Sequence, residues 1–214
     1  MLICGIDEAG RGPVIGPMVI SAVSIEDGIE EEFADAGITD SKLLDKTVRE
    51  KLFELIEDKA KEIKTIILNP LEIDEWMGVA SLNDLEAVKS AEIIDSLKFE
   101  PEKCFLDCPD TIMERYSKNI SNLCKGKSEI IAEHKADLNR VVVAAASIIA
   151  KVTRDWEIEK IKETHGEVGS GYPSDAITQK WLEVTWSEER CFPDCVRKKW
   201  HTIDRIAQLR INEW

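Results

Sequence analysis

Gly5-Ile6-Asp7-Glu8-Ala9-Gly10-Arg11-Gly12-Pro13, continued by Gly16-Pro17, is the stretch from which the fold is read. The apolar run Leu2 to Asp7 ends in acid, glycines and prolines then interrupt regular structure, and the Val- and Ile-rich run Pro17 to Ile25 resumes it. Two strands joined by the segment Ala9 to Gly16 are the economical reading, and they make a hairpin. Downstream, Leu44, Val48, Leu52, Leu55, Ile56 and Ile63 recur at three and four residues, which predicts one long amphipathic helix with Thr39, Asp40 or Ser41 as its cap. Thr65 to Leu68 reads as a strand stopped by Asn69-Pro70, and Ser81 opens a second helix through about Leu97. Cys104 to Asp107 is a buried strand, Thr111 to Asn119 a short helix and Glu129 to Ala132 a short strand. From Asn139 to Ile161 runs a long helix, apolar all round in its first half, and helical segments follow at Ile177 to Val184 and Trp200 to Asn212. Strands alternating with helices predict an α/β or mixed α/β domain.

The 214 residues carry 28 Lys and Arg against 42 Asp and Glu, a formal charge of -14, with 43% hydrophobic residues. Eleven Gly and seven Pro exclude a collagen-like or Pro/Gly-rich disordered chain. The longest uncharged stretch, Gly12 to Ile25, is 14 residues and is broken by Pro13, Gly16 and Pro17, too short to span a bilayer. Asp7 and Glu8 follow the first apolar run with no basic leader before it, so no signal peptide is expected and the reading is a cytoplasmic protein. Six scattered cysteines are then expected as reduced thiols; Cys104/Cys108 and Cys191/Cys195 each leave three residues between them, a spacing that leaves a zinc site open. All the excess negative charge lies in residues 1 to 138, whereas residues 139 to 214 hold 12 basic and 12 acidic residues. Overall acidity is therefore weak evidence against a nucleic-acid substrate, because phosphate affinity depends on local clusters of Lys and Arg.

Asp7, Glu8 and Asp107 fall at the ends of apolar runs, and Asp137 precedes the buried helix. Strand ends are where an α/β sheet exposes functional groups. Carboxylates drawn together repel unless protons or cations lie between them, and hard oxygen ligands suit Mg²⁺ or Mn²⁺. A pair of such ions suits in-line phosphodiester displacement. The other reading is that an acid after an apolar run is simply the first solvated loop residue, and 42 acids supply such endings by chance. Adjacent Asp7 and Glu8 also point to opposite faces of a regular strand, so joint cation binding asks the strand to end or bulge there.

The opening stretch resembles the N-terminal signature of the type 2 ribonucleases H. Further blocks of that family are matched in order by Asp40-Ser41-Lys42-Leu43, Leu106-Asp107, Glu133-His134-Lys135-Ala136-Asp137, Ala145-Ala146-Ser147-Ile148-Ile149-Ala150-Lys151-Val152-Thr153-Arg154-Asp155 and Gly169-Ser170-Gly171-Tyr172-Pro173-Ser174-Asp175. The resemblance implies a ribonuclease-H-like mixed sheet flanked by helices, with a catalytic domain over 1–185 and a helical C-terminal extension over 186–214. It implies an endonuclease that hydrolyses RNA in RNA/DNA hybrids and cuts on the 5′ side of ribonucleotides embedded in duplex DNA, leaving 5′-phosphate and 3′-hydroxyl ends.

The same resemblance marks Asp7, Glu8, Asp107 and Asp137 as catalytic carboxylates holding two divalent ions, Mg²⁺ or Mn²⁺. Gly10, Arg11 and Gly12 would read the ribose 2′-hydroxyl, helped by the close approach that glycine permits. Tyr172 would stack on the neighbouring nucleotide, and Lys42, Ser147, Lys151 and Arg154 would contact the substrate. His134 is either a modulator of the site or a structural histidine. Gln208, Ile211 and Trp214 match the start of a sliding-clamp docking motif, although Ile203, Ala207, Ile211 and Trp214 equally form a helical stripe that packs on the domain. The chain looks most like an archaeal, monomeric member, without the extra N-terminal domain of the type 3 enzymes. Against these stand two rivals on the same scaffold: a different metal-dependent nuclease or phosphatase, and a non-catalytic, cation-holding hybrid-binding module.

Overall fold

A computed structural model describes residues 1–39 and 41–209, apart from the side chains at 43, 208 and 209. Its strands and helices follow in chain order as β1 (Leu2–Ala9), β2 (Met18–Glu26), α1 (Ile29–Asp35), α2 (Lys46–Lys59), β3 (Glu62–Leu68), α3 (Pro70–Met77) and α4 (Leu82–Asp95). Then come β4 (Lys103–Asp107), α5 (Met113–Leu123), β5 (Glu129–Glu133), α6 (Ala136–Asn139), α7 (Val141–His165), α8 (Ala176–Glu189) and α9 (His201–Leu209). The strands form one mixed sheet in the order β3-β2-β1-β4-β5. β1 and β2 pair antiparallel from Leu2 against Glu26 to Ala9 against Val19, the hairpin read from the sequence. β4 lies parallel to β1 with Cys104 opposite Cys4, and β5 is parallel to β4. This is the mixed sheet with flanking helices that the resemblance implies.

Two compact units share the chain. The first comprises Met1–Ala9, Val19–Ile66 and Asn83–Thr153, and the second Gly10–Met18, Ile67–Leu82 and Arg154–Trp214. The first holds the sheet. Its core packs Ile3, Val23 and Phe105 with Phe33, Leu52 and Ile56 and with α7, whose residues from Val142 to Ala150 are all buried. Gly5 makes room for that helix: a Cβ there would run into the backbone of Val142 and Val143. The core of the second unit gathers Val14, Ile15, Val168, Leu182, Phe192, Val196, Ile203 and Ile206. Of the C-terminal residues from 186, the described ones, 186–209, therefore belong to the second unit, as do α8 and the loop after β1.

Several boundaries depart from the sequence reading. The helix expected over Leu44 to Ile63 is shorter, because Asp45 caps α2 by accepting the Val48 N–H at 2.9 Å and Ala60 leaves helical geometry. Ile63 lies in β3, and Val48 is exposed. Among the expected caps, Ser41 opens a 3-10 turn, Ser41–Leu43, and Asp40 lies outside the described residues. Asn69-Pro70 ends β3 at Leu68, as read, and also starts α3, a helix the sequence reading does not name: Asn69 and Glu72 form a reciprocal capping box with Pro70 in the first turn, where its missing N–H costs nothing. All six cysteines are free thiols. Among the described residues no helix is long and apolar enough to cross a membrane.

Candidate active site

The sequence reading asks β1 to end or bulge at its two acids, but regular pairing with β2 runs past Asp7 and Glu8 to Ala9. Successive side chains start from opposite faces of the sheet, yet Asp7 and Glu8 line one small cavity with Asp107, so they meet there without a bulge. Asp7 is 6% exposed, accepts the Glu8 N–H at 2.8 Å and is hydrogen-bonded to Ser147 of α7. Burial, then the charges of Glu8 and Asp107, hold its carboxyl well above the usual carboxylate range in spite of those hydrogen bonds.

Asp107 ends β4, whose register puts Leu106 opposite Ile6 and so brings Asp107 level with Asp7. Its Oδ1 accepts the Ala136 N–H at 2.9 Å, which ties down the first turn of α6. Asp137 is the next residue, buried, with Oδ2 3.5 Å from Nζ of exposed Lys42. Lys135, at φ 56°, makes the left-handed turn from β5 into α6, a conformation that costs a non-glycine residue about 1 kcal/mol. Ser147 meets Ser41 at 2.9 Å, so Ser41, Ser147 and Lys42 knit Asp7 and Asp137 together. The resemblance makes Ser147 a substrate contact; it is 4% exposed, with its hydroxyl against Ser41 and bearing on Asp7. Lys151 is partly buried on α7.

Glu86 and Ser90 of α4 and Tyr116 of α5 line a small cavity with Asp7, Glu8 and Asp107. Burial, then the negative charges of Glu86 and Glu8, push the Tyr116 phenol up, while a hydrogen bond with Ser90 pulls it back. Sequence reasoning missed these three, since a glutamate inside a helix gives no signal among 42 acids. His134 sits with Nδ1 3.3 Å from the Cys108 carbonyl. Among the described residues no three His, Cys, Asp or Glu side chains form a ready coordination shell. A hard divalent cation fits on other grounds: the donors are carboxylates, and the charges of Glu8 and Asp107 bear on Asp7 in a setting too dry to screen them.

In the second unit, Gly10 (φ 87°) and Gly12 flank half-buried Arg11. A Cβ on Gly10 would strike the Arg154 side chain and lie 2.6 Å from the Pro17 carbonyl oxygen, so only glycine fits. Gly12 is exposed, and a Cβ there would meet only the Tyr172 ring, at 3.7 Å. Arg197 donates to three carbonyls of this loop: Nη2 to Gly10 at 2.6 Å, Nη1 to Arg11 at 3.1 Å and Nε to Gly16 at 3.0 Å. Trp200 Nε1 donates to the Gly12 carbonyl at 3.1 Å. From the other side, the Gly171 carbonyl accepts the N–H groups of Val14 and Ile15 at 2.8 and 3.2 Å.

Tyr172 is 40% exposed, with the Arg154 guanidinium 5.5 Å from its ring centroid. Arg154, expected as a phosphate contact, is 2% exposed, and its Nη2 donates to the Ile15 carbonyl at 3.3 Å. Its position supports Tyr172 and the glycine loop, and burial lowers its pKa. Of the expected docking residues, Ile211 and Trp214 lie outside the described residues, as does the side chain of Gln208. Ile203, of the competing stripe, is buried in the second core. Arg197 and Trp200 were not legible in the sequence, since their partners lie 187 and 188 residues earlier in the chain.

Residues 4–203 match the family model described as ribonuclease HII. The ribonuclease HII of Thermococcus sibiricus is 45% identical over 208 residues, 97% of this chain and 92% of that one. The crystal structure of the ribonuclease H2 from Pyrococcus horikoshii OT3 superposes with a TM-score of 0.94 at 44% identity, covering 100% of both chains. RNase HII in its complex with PCNA, from Archaeoglobus fulgidus, superposes with a TM-score of 0.86 at 41% identity, covering 94% of this chain and 95% of that one. With these matches spanning nearly its whole length, the chain belongs to the ribonuclease HII family and is a ribonuclease H enzyme.

Proposed function

We propose that this enzyme hydrolyses the RNA strand of RNA/DNA hybrids and cuts duplex DNA on the 5′ side of an embedded ribonucleotide, breaking the P–O3′ bond to leave 3′-hydroxyl and 5′-phosphate ends. The observation that carries the reading is the buried Asp7 carboxyl, which lines one small cavity with Glu8 and with Asp107 of the neighbouring strand. Asp7, Glu8, Asp107 and Asp137 would hold two divalent ions, Mg²⁺ or Mn²⁺, which when bound supply an activated water and neutralise charge on the scissile phosphate. Ser147 and the Glu8 N–H orient Asp7 for that task, and the Ala136 N–H orients Asp107. Lys42, exposed beside Asp137, offers its ammonium to a substrate phosphate. The backbone of Gly10, Arg11 and Gly12 would hydrogen-bond the ribose 2′-hydroxyl, and exposed Tyr172 would stack on the adjacent nucleotide. Residues 186–214 serve as a helical extension without a cutting role.

Cleavage of duplex DNA carrying one ribonucleotide, run beside an all-DNA duplex with Mg²⁺ and with Mn²⁺, tests this reading. Cutting is expected only at the 5′ side of the ribonucleotide, with a loss of at least about 10³-fold in Asp7→Asn and Asp137→Asn. Hydrolysis at the wild-type rate in either variant would remove the assignment. Binding of hybrid without product at any ion concentration would favour the non-catalytic module. Docking on a sliding clamp is a second reading, supported by the Archaeoglobus complex with PCNA and by the Gln208, Ile211 and Trp214 motif. Clamp capture that survives deletion of the last seven residues would rule out that route.

A further inference from the structure

Arg197 is 0% exposed, yet its donors meet carbonyl oxygens and an aromatic face: Gly10, Arg11 and Gly16, with the guanidinium 4.8 Å from the Trp200 ring centroid. The main chain holds it there. Arg197 N–H donates to the Val14 carbonyl and Gly16 N–H to the Cys195 carbonyl, both at 2.8 Å, around an antiparallel bridge between Ile15 and Val196. Desolvation, then the nearby Arg154 charge, brings the Arg197 pKa down to about 9, so the cation remains charged at neutral pH. A planar, multiply donating guanidinium suits this task, because a single ammonium cannot reach three diverging carbonyls. Burying such a charge is costly unless its donors are used, and here they are spent on the backbone of one loop.

The orientation follows from peptide geometry. In a trans peptide the C=O and the next N–H point to opposite sides, and the described chain contains no cis peptide. Holding the Gly10 and Arg11 carbonyls toward Arg197 therefore turns the N–H groups of Arg11 and Gly12 the other way. A cation on each carbonyl also polarises the peptide and makes its N–H a stronger donor. Trp200 fixes the Gly12 carbonyl in the same manner, with a proline N and no N–H beyond it.

We propose that Arg197, assisted by Trp200, is the positioning residue that presents the Arg11 and Gly12 N–H groups as a paired donor for the 2′-oxygen of a ribonucleotide, and so sets the preference for ribose over deoxyribose. This rests on the proposed reading of the glycine loop as the ribose contact.

The test uses the full-length chain with divalent ions chelated, so that nothing is cut, and two duplexes that differ in one 2′-hydroxyl. The unmodified protein is expected to bind the ribonucleotide duplex more tightly. Arg197→Lys is expected to lower that preference about tenfold and Trp200→Phe about threefold, with binding of the all-DNA duplex within about twofold of the unmodified protein. Thermal unfolding monitors the fold. If Arg197→Lys does not fold, Trp200→Phe, which keeps an aromatic face and removes the N–H on the Gly12 carbonyl, decides the matter alone. A folded variant that keeps the full preference, or weakens both duplexes equally, overturns the positioning role. Equal binding of both duplexes by the unmodified protein overturns the loop reading itself, and the positioning role with it.

Discussion

Asp175 shows how one side chain can hold a loop closed. It caps α8 through the Ile177 N–H at 3.0 Å and accepts the N–H and O–H of Ser170 at 2.6 and 2.7 Å, closing the loop that carries Tyr172. The Ser170 and Ile177 bonds pull its pKa down to about 2. Since that lies below the usual aspartate value of about 3.9, the stabilisation is complete above about pH 4 and is lost as pH falls through about 2. Asp175→Asn keeps a cap but not the charge. Urea unfolding at stepped pH is expected to find it less stable than the unmodified protein near neutrality, with the gap closing toward pH 2; a gap independent of pH would show that the charge is irrelevant. The sequence marked Asp175 only as part of a matched block, because its bonds depend on how the loop folds back.

At the scale of elements, β1 and α7 are the pair on which the first unit depends. From Val142 to Ala150 every residue of α7 but Ser147 is apolar, which the sequence shows directly and which demands a partner at close range. Gly5 meets that demand by leaving no side chain between strand and helix. Gly5→Ala would drive a Cβ into the α7 backbone, and denaturant titration is expected to show a loss of about 3 kcal/mol or more. A loss below about 1 kcal/mol would mean that α7 can shift away freely. The hairpin, β4, β5 and the long helix were legible because their hydrophobic periods are strong. The end of α2 was misread and α3 was missed: the apolar spacing continues from helix into strand at Ile63, and Asn69-Pro70, read only as the end of a strand, also starts a helix. Only the capping partners, Val48 N–H for Asp45 and Glu72 for Asn69, decide between those outcomes.

For the molecule as a whole, a charge of -14 with acids gathered at strand ends sets function against stability. Asp7→Asn removes a buried carboxylate repelled by Glu8 and Asp107, and is expected to raise the stability of the ion-free protein by about 1–2 kcal/mol while abolishing cleavage. Mg²⁺ or Mn²⁺ at about 100 times its dissociation constant should add about 2.7 kcal/mol to the unmodified protein and much less to the variant. Thermal unfolding with and without chelator reads both effects, and an equal ion-induced gain in the two proteins would place the cation elsewhere. The sequence by itself determined the alternation of strands and helices, the strand-end acids and, through its ordered blocks, the family, because periodicity and motif are local properties of the chain. Only the tertiary structure decided that Asp7 is buried against Ser147, that Arg154 supports a loop and that Arg197 grips Gly10 from 187 residues away. Desolvation and long-range hydrogen bonds exist only once distant segments pack, so no local pattern records them.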